Sequence, residues 1–218
     1  MKIYFSLTCV FLAIGCDENC IEPYSTRYVF DLPVSLTPAR DTFRVGDTIT
    51  VESVFSDQVL ERNLQQRLPL VDWKFYPRTN INKIDDNPAK DGLPFFEVLL
   101  AEAPNYYLRE YSSGTSGLSG AYEYNEGNYS LKFKLIPQMP GLFHMENGSA
   151  LYPQNEWQEF PGRCKKNSSE AFVNMNNGAD NNIQYLELSP DPHYNNWILI
   201  KPEDRFHKFG GYCFVVVE

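Results

Sequence analysis

The sequence predicts a mainly β protein: an antiparallel β-sandwich with a short helical and irregular insertion ahead of its last strand. Three observations carry that reading. Apolar and polar residues alternate along segment after segment, which is the period of a half-buried strand. Pro, Gly, Asn and Asp punctuate those segments as turn residues do. Aromatics reach 15%, led by 15 Phe and 14 Tyr, which suit a pleated, half-buried surface. At 218 residues, 43% hydrophobic and 22% charged, the chain has a globular composition and room for one large β domain or two small ones. With 19 Lys and Arg against 28 Asp and Glu, the formal net charge is −9. That balance argues against a nucleic-acid partner, because phosphates select basic surfaces.

The amino terminus is an address rather than part of the fold. Lys2 precedes an apolar run over residues 3–14. At roughly 12 residues, about 18 Å as a helix, that run falls short of the roughly 20 a bilayer span needs. It ends in Leu12-Ala13-Ile14-Gly15-Cys16, which resembles the lipobox of bacterial lipoproteins. Ala13 departs from the pattern, standing where Leu is most usual. The resemblance implies cleavage before Cys16, acylation of Cys16, and a stable membrane anchor, since more than one acyl chain holds a protein firmly. Asp17-Glu18-Asn19 resembles the acidic export signal of lipoproteins in Bacteroidetes-type bacteria. It implies an outer-membrane lipoprotein, exposed on the cell surface where that signal operates. Residues 1–15 are thus read as signal peptide, 16–25 as tether, and 26–218 as one sandwich domain. Loss of Lys2 with the signal brings the charge nearer −10.

Along the body, residues 27–32 form the first strand, continued by 34–37 after Pro33, which suits an edge or a bulge. Residues 43–47 turn into a second strand on which Ile49, Val51 and Phe55 alternate with Thr50, Glu52 and Val54. Residues 71–76 alternate similarly and place Trp73 as a candidate core ring, and residues 95–100 form a shorter apolar strand. Tyr129, Leu131, Phe133 and Leu135 face one way along the next strand. A Pro- and Gly-containing connection then leads to residues 142–145, which fits a connected antiparallel pair. Residues 212–217 are continuous enough for a strand buried on both faces.

The insertion spans about 146–208 and is rich in Asn, Asp and Pro. Ser168-Ser169-Glu170 is a candidate helix start carrying Ala171, Phe172 and Met175. Pro202 with Glu203 and Asp204, then Lys208 and Gly210, gives start and stop signals for a two-turn helix. Val45-Gly46-Asp47-Thr48-Ile49 looks like the B-strand region of immunoglobulin-like domains on bacterial surface proteins. No cysteine lies near Val51 to pair across such a core, and a jelly roll or transthyretin-like sandwich fits the same pattern. Overall the chain resembles uncharacterised Bacteroidetes-type lipoproteins with such a sandwich. That resemblance implies location more than activity.

Of five cysteines, the lipoprotein resemblance implies that Cys9 would leave with the signal and Cys16 would be lipidated, so Cys20, Cys164 and Cys213 would remain. An odd number allows one internal bridge, and Cys164–Cys213 is the expected pair, since both lie in the body of an exported protein.

No nucleotide-binding glycine loop, His-Glu-x-x-His or Cys-x-x-Cys occurs, and Gly114-Thr115-Ser116-Gly117 lacks nucleophile-elbow spacing. Residues 111–120 read as a flexible Ser/Gly loop. His144, His193 and His207 are scattered. The Asp/Asn loops at 85–92 and 176–182 lack calcium-loop spacing and read as Asx turns, so no cofactor or metal is expected. The functional hint is aromatic: Tyr107, Tyr111 and Tyr122 around the Ser/Gly loop, and Trp157, Tyr194 and Trp197 in the insertion. Tyr and Trp beside Ser, Gly and Asn suit loops that bind sugars or proteins. The expectation is a non-enzymatic binding or adhesion module for a glycan or protein. The alternative is a glycan- or cell-wall-acting hydrolase using a carboxylate pair.

Overall fold

The structure, a computed structural model, describes residues 28–151 and 169–218. Strands are numbered along the chain. The first sheet runs β11 (Glu123–Asn125), β12 (Asn128–Pro137), β3 (Ile49–Ser56), β1 (Tyr28–Thr37), β4 (Gln58–Glu61), β5 (Gln66–Pro69). Parallel β14 (Ser169–Met175) joins β1, and β8 (Phe96–Leu99) joins β12. The second sheet runs β2 (Thr42–Arg44), β15 (Tyr212–Val217), β13 (Gly141–Leu151), β6 (Phe75–Lys83), β10 (Ser116–Gly120), β9 (Tyr106–Glu110), with β7 (Lys90–Asp91) on β6. The protein is a mainly β sandwich, mostly antiparallel, with parallel pairs at β1–β14 and β15–β2.

Alternation in the sequence becomes the core. Phe30, Leu32, Ile49, Val51, Phe133 and Leu135 point inward from the first sheet, while Phe75, Ile81, Phe143, Met145 and Phe214 do so from the second. Rings meet across the gap: Phe75 stands edge-on to Tyr129 at 5.0 Å, and Tyr106 lies against Phe133 at 5.4 Å. Each fully buried ring of this kind stabilises the fold by about 1.5–3 kcal/mol. Trp73 packs half-buried on this core, edge-on to Phe30 at 5.5 Å. Pro33 sits inside a central strand, between the stretches of β1 paired to β3 and to β4. The ladder is interrupted there, and Ser53 Oγ donates to the Pro33 carbonyl at 2.6 Å. A residue without an N–H fits that gap.

Several expectations are corrected. Residues 71–74 are a turn and the strand begins at Phe75, leaving Val71 exposed. β12 and β13 are not paired with each other: β12 lies in the first sheet and β13 in the second, so the connection around Pro140 crosses between layers. Residues 169–175 are strand, not helix. Ala171, Val173 and Met175 alternate inward along β1, and Phe172 turns out beneath the Arg62 guanidinium at 3.8 Å. Residues 146–151 likewise belong to β13, so the helical segment begins at Asn176. Short turns over Ile183–Leu188, Tyr194–Ile198 and Glu203–His207 follow, the last after Pro202 where its signals place it, but five residues long rather than two full turns. Gly210, at φ +54°, ends it in the left-handed region that a glycine tolerates best.

This segment caps the outer face of β13 and β15. Leu186, Tyr194, Ile198 and Phe206 pack there on Leu142, Cys213 and Ile84. β15 is therefore buried on both faces, as its unbroken apolar run predicts. Cys213 is a buried thiol without a sulfur partner among the described residues, and Cys164 lies outside them. Under the open half of the sheet runs a buried polar chain, in which Tyr106 OH donates to Thr79 Oγ1 (2.9 Å) and Thr79 donates to Asn147 Oδ1 (2.7 Å). Thr79→Val keeps the shape and strands both partners. A loss of about 1–3 kcal/mol is expected in urea unfolding, and an unchanged midpoint would show the chain to be dispensable.

Candidate groove on the outer face of the second sheet

Where the cap stops, at Phe209, the outer faces of β6, β10 and β9 carry a groove of about 780 Å³. Strand periodicity builds it. Phe75, Pro77, Thr79 and Ile81 go to the core, so Tyr76, Arg78, Asn80 and Asn82 face out from β6. Tyr106 goes in, so Tyr107 and Arg109 face out from β9, followed by Tyr111. The register sets Gly148, Arg78, Ser119 and Tyr107 in one row across four strands, with Arg109 opposite Gly117 in the next.

The floor is low because its residues are small. Residues 116–120 form the strand between β6 and β9, which corrects the flexible-loop expectation. Their glycines serve close approach rather than mobility. A Cβ on Gly117 would stand 2.6 Å from Asn80 Oδ1 and 3.1 Å from Tyr111 OH, and one on Gly120 would strike the Asn105 carbonyl oxygen at 1.8 Å. Phe209 walls the cap side, held where Asn147 N–H donates to its carbonyl at 2.8 Å. Two hydroxyls of the lining, Tyr111 OH and Ser149 Oγ, are shielded from solvent and have no hydrogen-bond partner in the described structure.

A smaller recess continues past Asn80 and Asn82 to Asp91, Thr115 and Ser116. Asp91 Oδ2 accepts from both Ser116 N–H and Ser116 Oγ at 2.6 Å, and Oδ1 accepts from Leu93 N–H at 3.2 Å. That carboxylate holds the β7–β10 corner together. Nearby, Lys83 pairs with Asp85 and Asp86, and Lys90 with Asp86. These ion pairs hold the Asp86 carboxyl below the usual carboxylate range, Lys90 contributing most. In the other Asn-rich loop, Asn176 Oδ1 accepts from Leu36 N–H at 2.9 Å. Among the described residues no group of three or more His, Cys, Asp or Glu is placed to hold a metal ion.

Of the six aromatic residues singled out in the sequence, the groove unites Tyr107 and Tyr111. Tyr122 is core: its hydroxyl donates to Ser53 Oγ at 3.2 Å, and burial pushes its pKa up to about 12. Tyr194 is buried under the cap, edge-on to His144. Trp197 is exposed elsewhere, on the cap, with the Arg205 guanidinium 3.4 Å from its ring. Trp157 lies outside the described residues, as does Cys16. Tyr76, Arg78, Asn80, Arg109 and Ser149 were missed. The outward set on β6, two residues apart and rich in Tyr, Arg and Asn, was the available signal.

No family model matches the chain, and no curated protein matches it.

Proposed function

We propose that this chain is an exported, membrane-tethered lipoprotein, at the outer membrane and facing the cell exterior, whose sandwich binds glycan chains in the groove of its second sheet. The observation that carries the reading is the composition of that groove. Tyr107 and Tyr111 offer ring faces, and Asn80, Asn105 and Ser119 offer amides and a hydroxyl. A pyranose presents apolar C–H faces rimmed by hydroxyls, and rings with adaptable polar groups complement it. Small residues along the middle strand keep the floor low, so an extended chain can lie along it.

Tethering is supported by the amino-terminal sequence alone. The tether leads into β1 of the first sheet, while the groove lies on the second. Cys16→Ala is expected to move the protein from the membrane pellet to the soluble fraction; a variant that still sediments with membranes would refute the anchor. Hydrolysis by a carboxylate pair has less support. The lining of the main groove contains no Asp or Glu among the described residues, and Asp91 at its end is committed to Ser116 and Leu93. The test of binding is affinity electrophoresis of the soluble form starting after Cys20 in gels containing individual polysaccharides. Retardation by at least one supports the reading, and unretarded migration across plant, algal and bacterial glycans would end it.

A further inference from the structure

We propose that the groove selects acidic polysaccharides, with Arg78 and Arg109 receiving the carboxylates of a uronate-bearing chain. This deepens the glycan reading and rests on it. The argument begins with charge. In a chain of net −9, several cations elsewhere have found carboxylates: Arg62 pairs with Asp31, Lys132 with Glu52 and Glu102, and Lys208 with Glu170, while Arg67 and Arg205 donate to backbone carbonyls. Arg78 and Arg109 do neither. Both line the groove, and neither guanidinium has a carboxylate within ion-pair distance or a hydrogen-bond partner among the described residues. Glu146, beside Asn80 on β13, is the carboxylate closest to Arg78 in the register. It is half-buried, and burial raises its pKa while the charge of Arg78 lowers it; it stands outside ion-pair distance of Arg78.

Placement adds to charge. Arg78 and Arg109 lie two strands apart and one outward position apart along the strands. With strands about 4.8 Å apart and about 3.4 Å per residue, their backbones are separated by about 12 Å. Gly117 and Ser119 lie between them on β10, with the Asn80 amide and the Tyr111 ring packed over Gly117. Arg109 also stands 5.7 Å from the Tyr107 ring centroid, which places a cation beside a stacking surface. A guanidinium presents a planar fork of donors matched to a carboxylate, and it keeps its charge at every physiological pH. Sugars bearing carboxylates combine that group with the hydroxyls and C–H faces that the tyrosines, Asn80 and Ser119 recognise. An acidic peptide would use the arginines and leave the ring platforms and amides without a matching role.

The full chain, purified in detergent, is tested against polygalacturonate, alginate and hyaluronan, each beside its carboxyl-reduced form, which keeps the backbone and removes the charge. At low salt at least one acidic form is expected to bind tenfold or more tighter than its reduced counterpart. Arg78→Gln and Arg109→Gln are each expected to remove most of that difference, with the melting temperature unchanged. Equal binding of acidic and reduced forms overturns the acidic selectivity while the glycan reading stands. Binding to none of the six overturns the uronate proposal, and the wider polysaccharide series above then decides the glycan reading separately. Binding of polyglutamate with the same arginine dependence, and without dependence on Tyr107, overturns the polysaccharide as occupant.

Discussion

Replacing Tyr107 and Tyr111 together by alanine is expected to lower polysaccharide affinity by about two to three orders of magnitude. Both rings line the groove, and they face out from or just beyond β9, the edge strand of the sheet. Truncating a central aromatic anchor typically costs about 2 kcal/mol, and about 1.4 kcal/mol is a tenfold change in affinity. Folding is not at stake to the same degree. Tyr107 is 48% exposed, and the core tyrosine of the same strand is its neighbour Tyr106. Tyr107→Phe and Tyr111→Phe separate ring from hydroxyl: at Tyr111, whose hydroxyl is shielded from solvent, the phenylalanine should keep both the stacking and the affinity. Calorimetry on the three variants decides, and wild-type affinity in the double alanine would place the ligand elsewhere.

His144 governs the second large effect, the response to acid. Its ring is fully buried, stacked on Phe206 at 5.4 Å and edge-on to Tyr194, and both nitrogens lack partners among the described residues. Cys213 and Asn82 flank it on the neighbouring strands, Glu146 stands two residues along β13, and His193 approaches from the cap. Burial first, and then the charge of His193, lower its pKa from 6.5 to about 3. Between those values the unfolded chain takes up a proton that the folded chain refuses. The stability contributed by the neutral ring is complete above pH 6.5 and drains away as pH falls towards 3. At about 1.4 kcal/mol per pH unit, the loss between pH 7 and pH 4 is about 3 kcal/mol. His144→Phe should flatten that slope and relieve two unsatisfied nitrogens, so the variant gains most at low pH. Urea midpoints at pH 7 and pH 4 test this; parallel pH dependence in both proteins would exclude His144 as the cause.

The groove shows why part of the site was legible and part was not. Tyr107 and Tyr111 could be picked out as ring-bearing residues near Ser and Gly. Tyr122 matched them in composition but lies in the core with its hydroxyl on Ser53, because its position faces inward. Composition does not encode which way a strand faces. Arg78 and Asn80 were passed over since, on a strand, they read as ordinary solvent-facing positions. Their meaning comes from β10 and β9 lying alongside. The glycines at 117 and 120 were read as looseness, yet they mark places where two backbones and a tyrosine come too close for a side chain.

By itself the sequence determined that the chain is a sandwich. A two-residue period fixes which side chains are buried once any partner strand is supplied, and Tyr129, Leu131, Phe133 and Leu135 are buried as that period requires. It determined the both-face burial of β15 and the turn after Pro202, since each depends on a continuous local signal. Strand partners were decided only by the tertiary structure. β12 and β13 read as a hairpin, and β14 read as a helix, because alternation and end signals are local whereas pairing is a contest among distant strands. Crossing to the second sheet lets both β12 and β13 bury their apolar sides in one core, and seven residues of β14 lie parallel along β1. The groove follows from that contest: it lies where the cap ends and four outward faces come into register.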